Sequence, residues 1–137
     1  MDALLDGCTL PVCAVKRRGE LVYPTSQPNG RRYLKSGVHV TASDADFNEF
    51  PRQVAEVIAF LRSEAEQVKR LCAWPGVEAV DLDFGIERRD VAIQCDRLPP
   101  ELVRLAGSFG LGIELSQYWA PGTEADAESI GKPHTER

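Results

Sequence analysis

Two aspartates separated by a single leucine, Asp81-Leu82-Asp83, are the most chemically suggestive pair in this 137-residue chain. On a strand, residues two apart share a face, and a rise of about 3.3 Å per residue sets their carboxylates about 6–7 Å apart. That separation suits a divalent cation or an acid/base pair. His39, in Val38-His39-Val40-Thr41, is the one histidine outside the C-terminal tail, which holds His134. An imidazole near Glu114 or Gln94 would serve as a general base. The candidate surface site is therefore His39, Thr41, Asp81, Asp83, Gln94 and Glu114. Against catalysis stand the lack of a Gly-x-Ser-x-Gly elbow and of a nucleophile in context. Acids on outward strand positions are, as a rule, solvated surface. Two carboxylates with no third acid at ligand spacing also leave a cation's shell mostly water. No catalytic residue, metal or cofactor is expected.

Cys8 and Cys13, with four residues between them, resemble half of a zinc site. A second half from Cys72, Cys95 or a histidine would have a spacing unlike any zinc module. Cys72 and Cys95 end apolar patterns and read as small core residues carried as thiols. Lys16-Arg17-Arg18 and Arg31-Arg32-Lys35 are the basic clusters. Sheets that bind RNA stack bases on aromatics of their central strands, whereas the corresponding positions here are His39, Thr41, Ala92 and Gln94. With 16 basic and 21 acidic side chains and a net charge of −5, nucleic acid is not an expected partner.

The elements that must position these residues follow from periodicity. An apolar share of 43% is too high for a disordered chain, and the length fits one domain, residues 1–119. No apolar run approaches the roughly 20 residues of a membrane span, so no membrane partner is expected. Met1–Asp6 carries acids where a secretory signal carries Lys or Arg, which makes the cytoplasm the expected compartment. The hairpin region 10–35 turns at Arg17-Arg18-Gly19 within residues 10–23, then runs through a loop at Pro24–Gly30 into an extended Arg31–Lys35. Val38, Val40 and Ala42 alternate as a strand. Asp46 and Glu49 resemble a capping box, with Pro51 in the first turn of a helix of about 22 residues. Along that helix Val54, Val57, Ile58, Leu61, Ala65, Val68 and Cys72 line one face.

Val80, Leu82, Phe84 and Ile86 form the next strand, and Val91–Cys95 is expected to return antiparallel to it. A second helix opens at Leu98-Pro99-Pro100 and stops at Gly110. Leu111, Ile113 and Leu115 make a last strand. The order β-α-β-β-α-β over residues 37–119 is that of the ferredoxin-like α+β fold, one antiparallel sheet with both helices on one face. Its expected core is Val57, Ile58, Leu61, Val68, Leu82, Phe84, Ile93, Leu102, Leu105 and Ile113. The tail, 120–137, is expected to be disordered.

The Lys16–Glu20 turn resembles that of small bacterial domains of unknown function. So does the block from the long helix through Leu98-Pro99-Pro100-Glu101-Leu102 to Gly112-Ile113-Glu114-Leu115-Ser116-Gln117-Tyr118. The shared motifs are packing signals, and the family's usual N-terminal strand-helix unit with its Leu-Gly pair is absent. By analogy, some comparable small acidic proteins neutralise toxins as immunity proteins. The expectation is a non-enzymatic module binding a protein partner with a basic surface. The alternative is a small enzyme or ligand-binding domain using the open sheet face around His39, Asp81 and Asp83.

Overall fold

Glu49 Oε2 accepts the backbone N–H of Asp46 at 3.0 Å, one half of the expected capping box, and the helix begins immediately after it. A computed structural model describes residues 1–120. In chain order the elements are α1 (Asp2–Leu5), β1 (Val12–Lys16), β2 (Gly37–Val40), α2 (Phe50–Ser63), α3 (Ala65–Cys72), β3 (Asp81–Arg88), α4 (Pro100–Phe109) and β4 (Gly112–Trp119). The protein is an α+β chain.

The long amphipathic run is two helices and not one. Glu64 interrupts it at φ −103°, ψ 18°. The hydrogen bonds on either side survive, from Glu64 N–H to Phe60 O and from Val68 N–H to Glu64 O. Farther along α3, Arg70 donates to the carbonyls of Leu4 and Asp6 at 3.2 and 2.6 Å. α4 starts behind Pro99-Pro100 and ends at Gly110, whose φ of 72° is the left-handed geometry that favours glycine.

Strand pairing departs from the ferredoxin-like expectation. The strands form two separate two-stranded sheets and not one antiparallel sheet. β1 pairs antiparallel with β2, so the expected hairpin at Arg17-Arg18-Gly19 is the start of a longer excursion. Within that excursion Glu20 and Val22 bond Tyr33 and Arg31. β3 pairs with β4 in parallel over all eight residues, from Asp81 beside Gly112 to Arg88 beside Trp119. Together with α4 these strands make a β-α-β unit.

Val91–Cys95 is loop and makes no ladder. Both edges of β3 near its end are taken: β4 runs along one, and on the other Glu87 N–H donates to Phe47 O while Gln53 Nε2 donates to Gly85 O. Ile93, expected in the core, is accordingly 79% exposed, and Cys95 is exposed as well.

Most of the remaining core expectation holds. Val57, Leu61, Val68, Phe84 and Leu102 are buried, with Ile58, Leu82, Leu105 and Ile113 packed against them. The centre also includes Phe50, Val54, Ile86, Ala106 and Leu111. Phe50 meets Phe84 edge to face at 5.6 Å between centroids. The expected disordered tail falls, beyond Ala120, outside the described residues.

Candidate functional site

Period-two alternation puts Asp81, Asp83, Gly85 and Glu87 on one face of β3, away from the buried Phe84 and Ile86. The parallel register brings Gly112, Glu114, Ser116 and Tyr118 of β4 alongside them in that order. Ser116 Oγ donates to Asp83 Oδ1 at 2.6 Å, and Asp83 is the register partner of Glu114. Two glycines make this face passable. A Cβ on Gly112 would run into the Asp81 carboxylate. One on Gly85 would stand 2.7 Å from the ring of Phe47. That ring instead crosses β3 and stacks on Tyr118, with centroids 4.8 Å apart and planes 11° from parallel. Both rings remain about half exposed.

His39 belongs to the other sheet, exposed on β2, where its carbonyl accepts the Cys13 thiol at 3.4 Å. It nonetheless shares one broad depression with Asp81, Asp83 and Glu114. This groove, ≈ 890 Å³, has Val38–Val40 of β2 on one wall and Val80–Asp83 on the other. Its floor is apolar, from Phe60, Leu61, Val68 and Leu71 of the helices.

The other two candidate residues lie elsewhere. Thr41 is half-buried beside β2, and its N–H donates to Pro11 O at 3.0 Å. Gln94 sits in the loop after β3, donates to Glu87 O and Asp96 Oδ2, and accepts from Arg89 N–H. Its amide fastens that loop and does not face His39 or the aspartates, because the strand expected to carry it is not formed. Among the described residues no group of three or more His, Cys, Asp or Glu is placed to hold a metal ion.

Along the start of β3 the backbone is available. Val80 O accepts Gly112 N–H, so even-numbered residues face β4 and Asp81 and Asp83 present their N–H and C=O to the opposite edge. Farther along that edge Gly85 O and Glu87 N–H are occupied, as described above. Among the described residues, Asp81 and Asp83 have no backbone partner there. Glu78 and Lys35 form an ion pair at the groove's end, with the Glu78 carboxyl held below its ordinary range chiefly by the hydrogen bond from that ammonium.

Two features of this region escape a reading by periodicity. Glu56 on α2 gathers Ser43 Oγ at 2.6 Å, Asp44 N–H at 3.0 Å and Arg52 Nε at 2.7 Å. Its carboxyl lies below the ordinary glutamate value, first through the Ser43 hydroxyl and then through Arg52. A second cavity, ≈ 540 Å³, lies at the carboxyl end of β3 against the start of α2. Its position is the one where parallel α/β units hold ligands, a signal that exists only once the parallel pairing is known. The chain matches no protein-family model, no curated protein and no solved structure.

Proposed function

We propose that this protein is a non-enzymatic binding module that takes an extended, basic segment of a partner protein into the groove between β2 and β3. The observation that carries the reading is the open backbone edge at Asp81 and Asp83, beside an apolar floor. An extended peptide adds to such an edge through main-chain hydrogen bonds, with alternate side chains seated below. Asp81, Asp83 and Glu114 on the rim then favour lysine or arginine at the intervening positions, which speeds encounter and rejects acidic sequences. A toxin-neutralising, immunity-type protein is one form of such a module. Four cysteines carried as free thiols fit work in the reducing cytoplasm.

The test is selection from a displayed library of unbiased peptides. Recovered sequences should alternate basic and apolar residues, and should be lost when Asp81, Asp83 and Glu114 are changed together to Asn, Asn and Gln. Recovery of acidic or unpatterned sequences would refute the reading.

A second reading, a small enzyme or ligand-binding domain around His39, Asp81 and Asp83, draws on one observation. These side chains line the same concavity although they come from different sheets. A small-molecule ligand whose binding is lost in both His39→Ala and Asp83→Asn would favour it over the first.

A further inference from the structure

The cavity at the carboxyl end of β3 is separate from the groove and has its own chemistry. Its apolar walls come from Phe47, Phe50, Val54, Ile86 and Pro99. At ≈ 540 Å³ it falls within the range of small-molecule sites, about 300–1,000 Å³. Four charged residues join the lining: Glu87, Arg89, Asp96 and Arg97. Two of them satisfy each other. The Asp96 side chain is only 11% exposed and accepts from Arg89 Nη2 at 3.4 Å and from Gln94 Nε2 at 2.8 Å. Arg89 Nη2 also donates to Cys95 O. Glu87 and Arg97 are different. Among the described residues neither the Glu87 carboxylate nor the Arg97 guanidinium has an ion-pair or hydrogen-bond partner. An apolar cleft open to solvent, bordered by a half-exposed anion and an exposed cation that no other described side chain pairs, matches a ligand carrying both charges beside an apolar body.

The geometry points to a binding site for a hydrophobic α-amino acid in its zwitterionic form. Arg97 offers the planar, two-pronged donor that a carboxylate takes. Glu87 accepts from the ammonium. The side chain enters between Phe47, Phe50 and Val54, where it loses apolar surface to protein and not to water. A ligand carrying both charges meets a partner for each at the mouth of the cleft, so the site favours the pair.

The probe is L-phenylalanine, compared by NMR titration of the full chain with N-acetyl-L-phenylalanine, which lacks the ammonium, and L-phenylalaninamide, which lacks the carboxylate. L-Phenylalanine should bind, and each analogue should bind about tenfold more weakly or worse, the effect of losing one charged hydrogen bond. Glu87→Gln should abolish the preference over the acetylated analogue alone, and Arg97→Gln the preference over the amide alone. Both positions lie at the surface, and an unchanged amide spectrum without ligand shows that each variant is folded. Asp81→Asn, Asp83→Asn protein should bind L-phenylalanine like wild type, which separates this site from the groove. Equal binding of the three compounds, or no saturable shift at millimolar L-phenylalanine, would overturn the assignment.

Discussion

Gln53 donates through Nε2 to the carbonyl of Gly85 at 2.7 Å, and from the same nitrogen to the carbonyl of Asp46 at 2.8 Å. It is a buried polar side chain within a helix whose other buried positions are apolar. One amide thus joins the first turn of α2, the loop before it and the edge of β3. Gln53→Ala should cost about 1–3 kcal/mol in urea unfolding, since two part-buried carbonyls lose their donor. Gln53→Glu should cost more near neutral pH, because a carboxylate would face two carbonyl oxygens, and should recover in part as acid restores a donor. If both variants unfold like wild type, this tie has no energetic role.

Leu61, 1% exposed, sits at the centre of the α2 face. Leu61→Ala should destabilise by about 2–5 kcal/mol through the cavity it leaves. Ile93→Ala, at a position that an alternating pattern would also bury, should stay within about 0.5 kcal/mol of wild type. Denaturant unfolding of the two variants therefore decides between the observed pairing and an antiparallel strand at 91–95.

Acid should weaken the fold through Glu56 and Glu49. Both carboxyls lie below their ordinary value, Glu56 through the Ser43 hydroxyl and then Arg52, Glu49 through the Asp46 N–H and then Arg52. A group more acidic folded than unfolded adds stability above its unfolded pKa, and that stability disappears as pH falls through the folded value. Stability should accordingly be flat near neutral pH and decline as pH drops below the ordinary glutamate range. Glu56→Gln should be less stable at pH 7 and show a shallower acid decline. Parallel acid limbs would remove Glu56 as a contributor.

Mg²⁺, Mn²⁺ or Ca²⁺ at millimolar concentration should not raise the melting temperature. A cation bound only by the folded chain at a hundredfold excess over Kd would add about 2.7 kcal/mol. Asp81, Asp83 and Glu114 are exposed, and Asp83 is already engaged by Ser116. A rise of several degrees in wild type, absent from Asp81→Asn, Asp83→Asn protein, would instead establish a cation site.

Gly85→Ala should disturb the Phe47–Tyr118 stack, because the new methyl group would stand 2.7 Å from the Phe47 ring. The expected loss is about 0.5–1.5 kcal/mol, the worth of an aromatic pair. It should come with a change in the Tyr118 ring resonances. Tyr118→Leu combined with Gly85→Ala should lose little more than either change alone, since both remove the same contact.

Local punctuation was easy to read from the residues. Pro99-Pro100 and Gly110 bracket α4, the Asp46–Glu49 pair precedes α2, and alternation in Val80–Ile86 identifies the buried face of β3. The same alternation predicts that Asp81 and Asp83 share a side, whereas Glu114 comes to lie beside Asp83 only through the parallel register of β3 and β4. Period two reports a strand's faces, however, and is silent on its neighbour and direction. Val91-Ala92-Ile93 has the composition of a returning strand but finds both edges of β3 engaged at its carboxyl end, so it stays in the loop and carries Gln94 away from the aspartates. The second cavity was illegible for a related reason. Phe50 and Val54 meet Ile86, Arg97 and Pro99 only through the packing of α2 against the end of β3.

The parallel union of β3 with β4 also fixes the order of events during synthesis. Register partners Asp81 and Gly112 are separated by all of α4 and its loops, so no local turn can zip this sheet, and its closure waits on a long excursion of chain. A nascent chain leaving the ribosome displays Asp81–Arg88 with no strand beside it until Gly112–Trp119 has emerged. Its fragments ending before Gly112 should therefore be the ones that recruit chaperones or cross-link to neighbours, and release should coincide with emergence of β4.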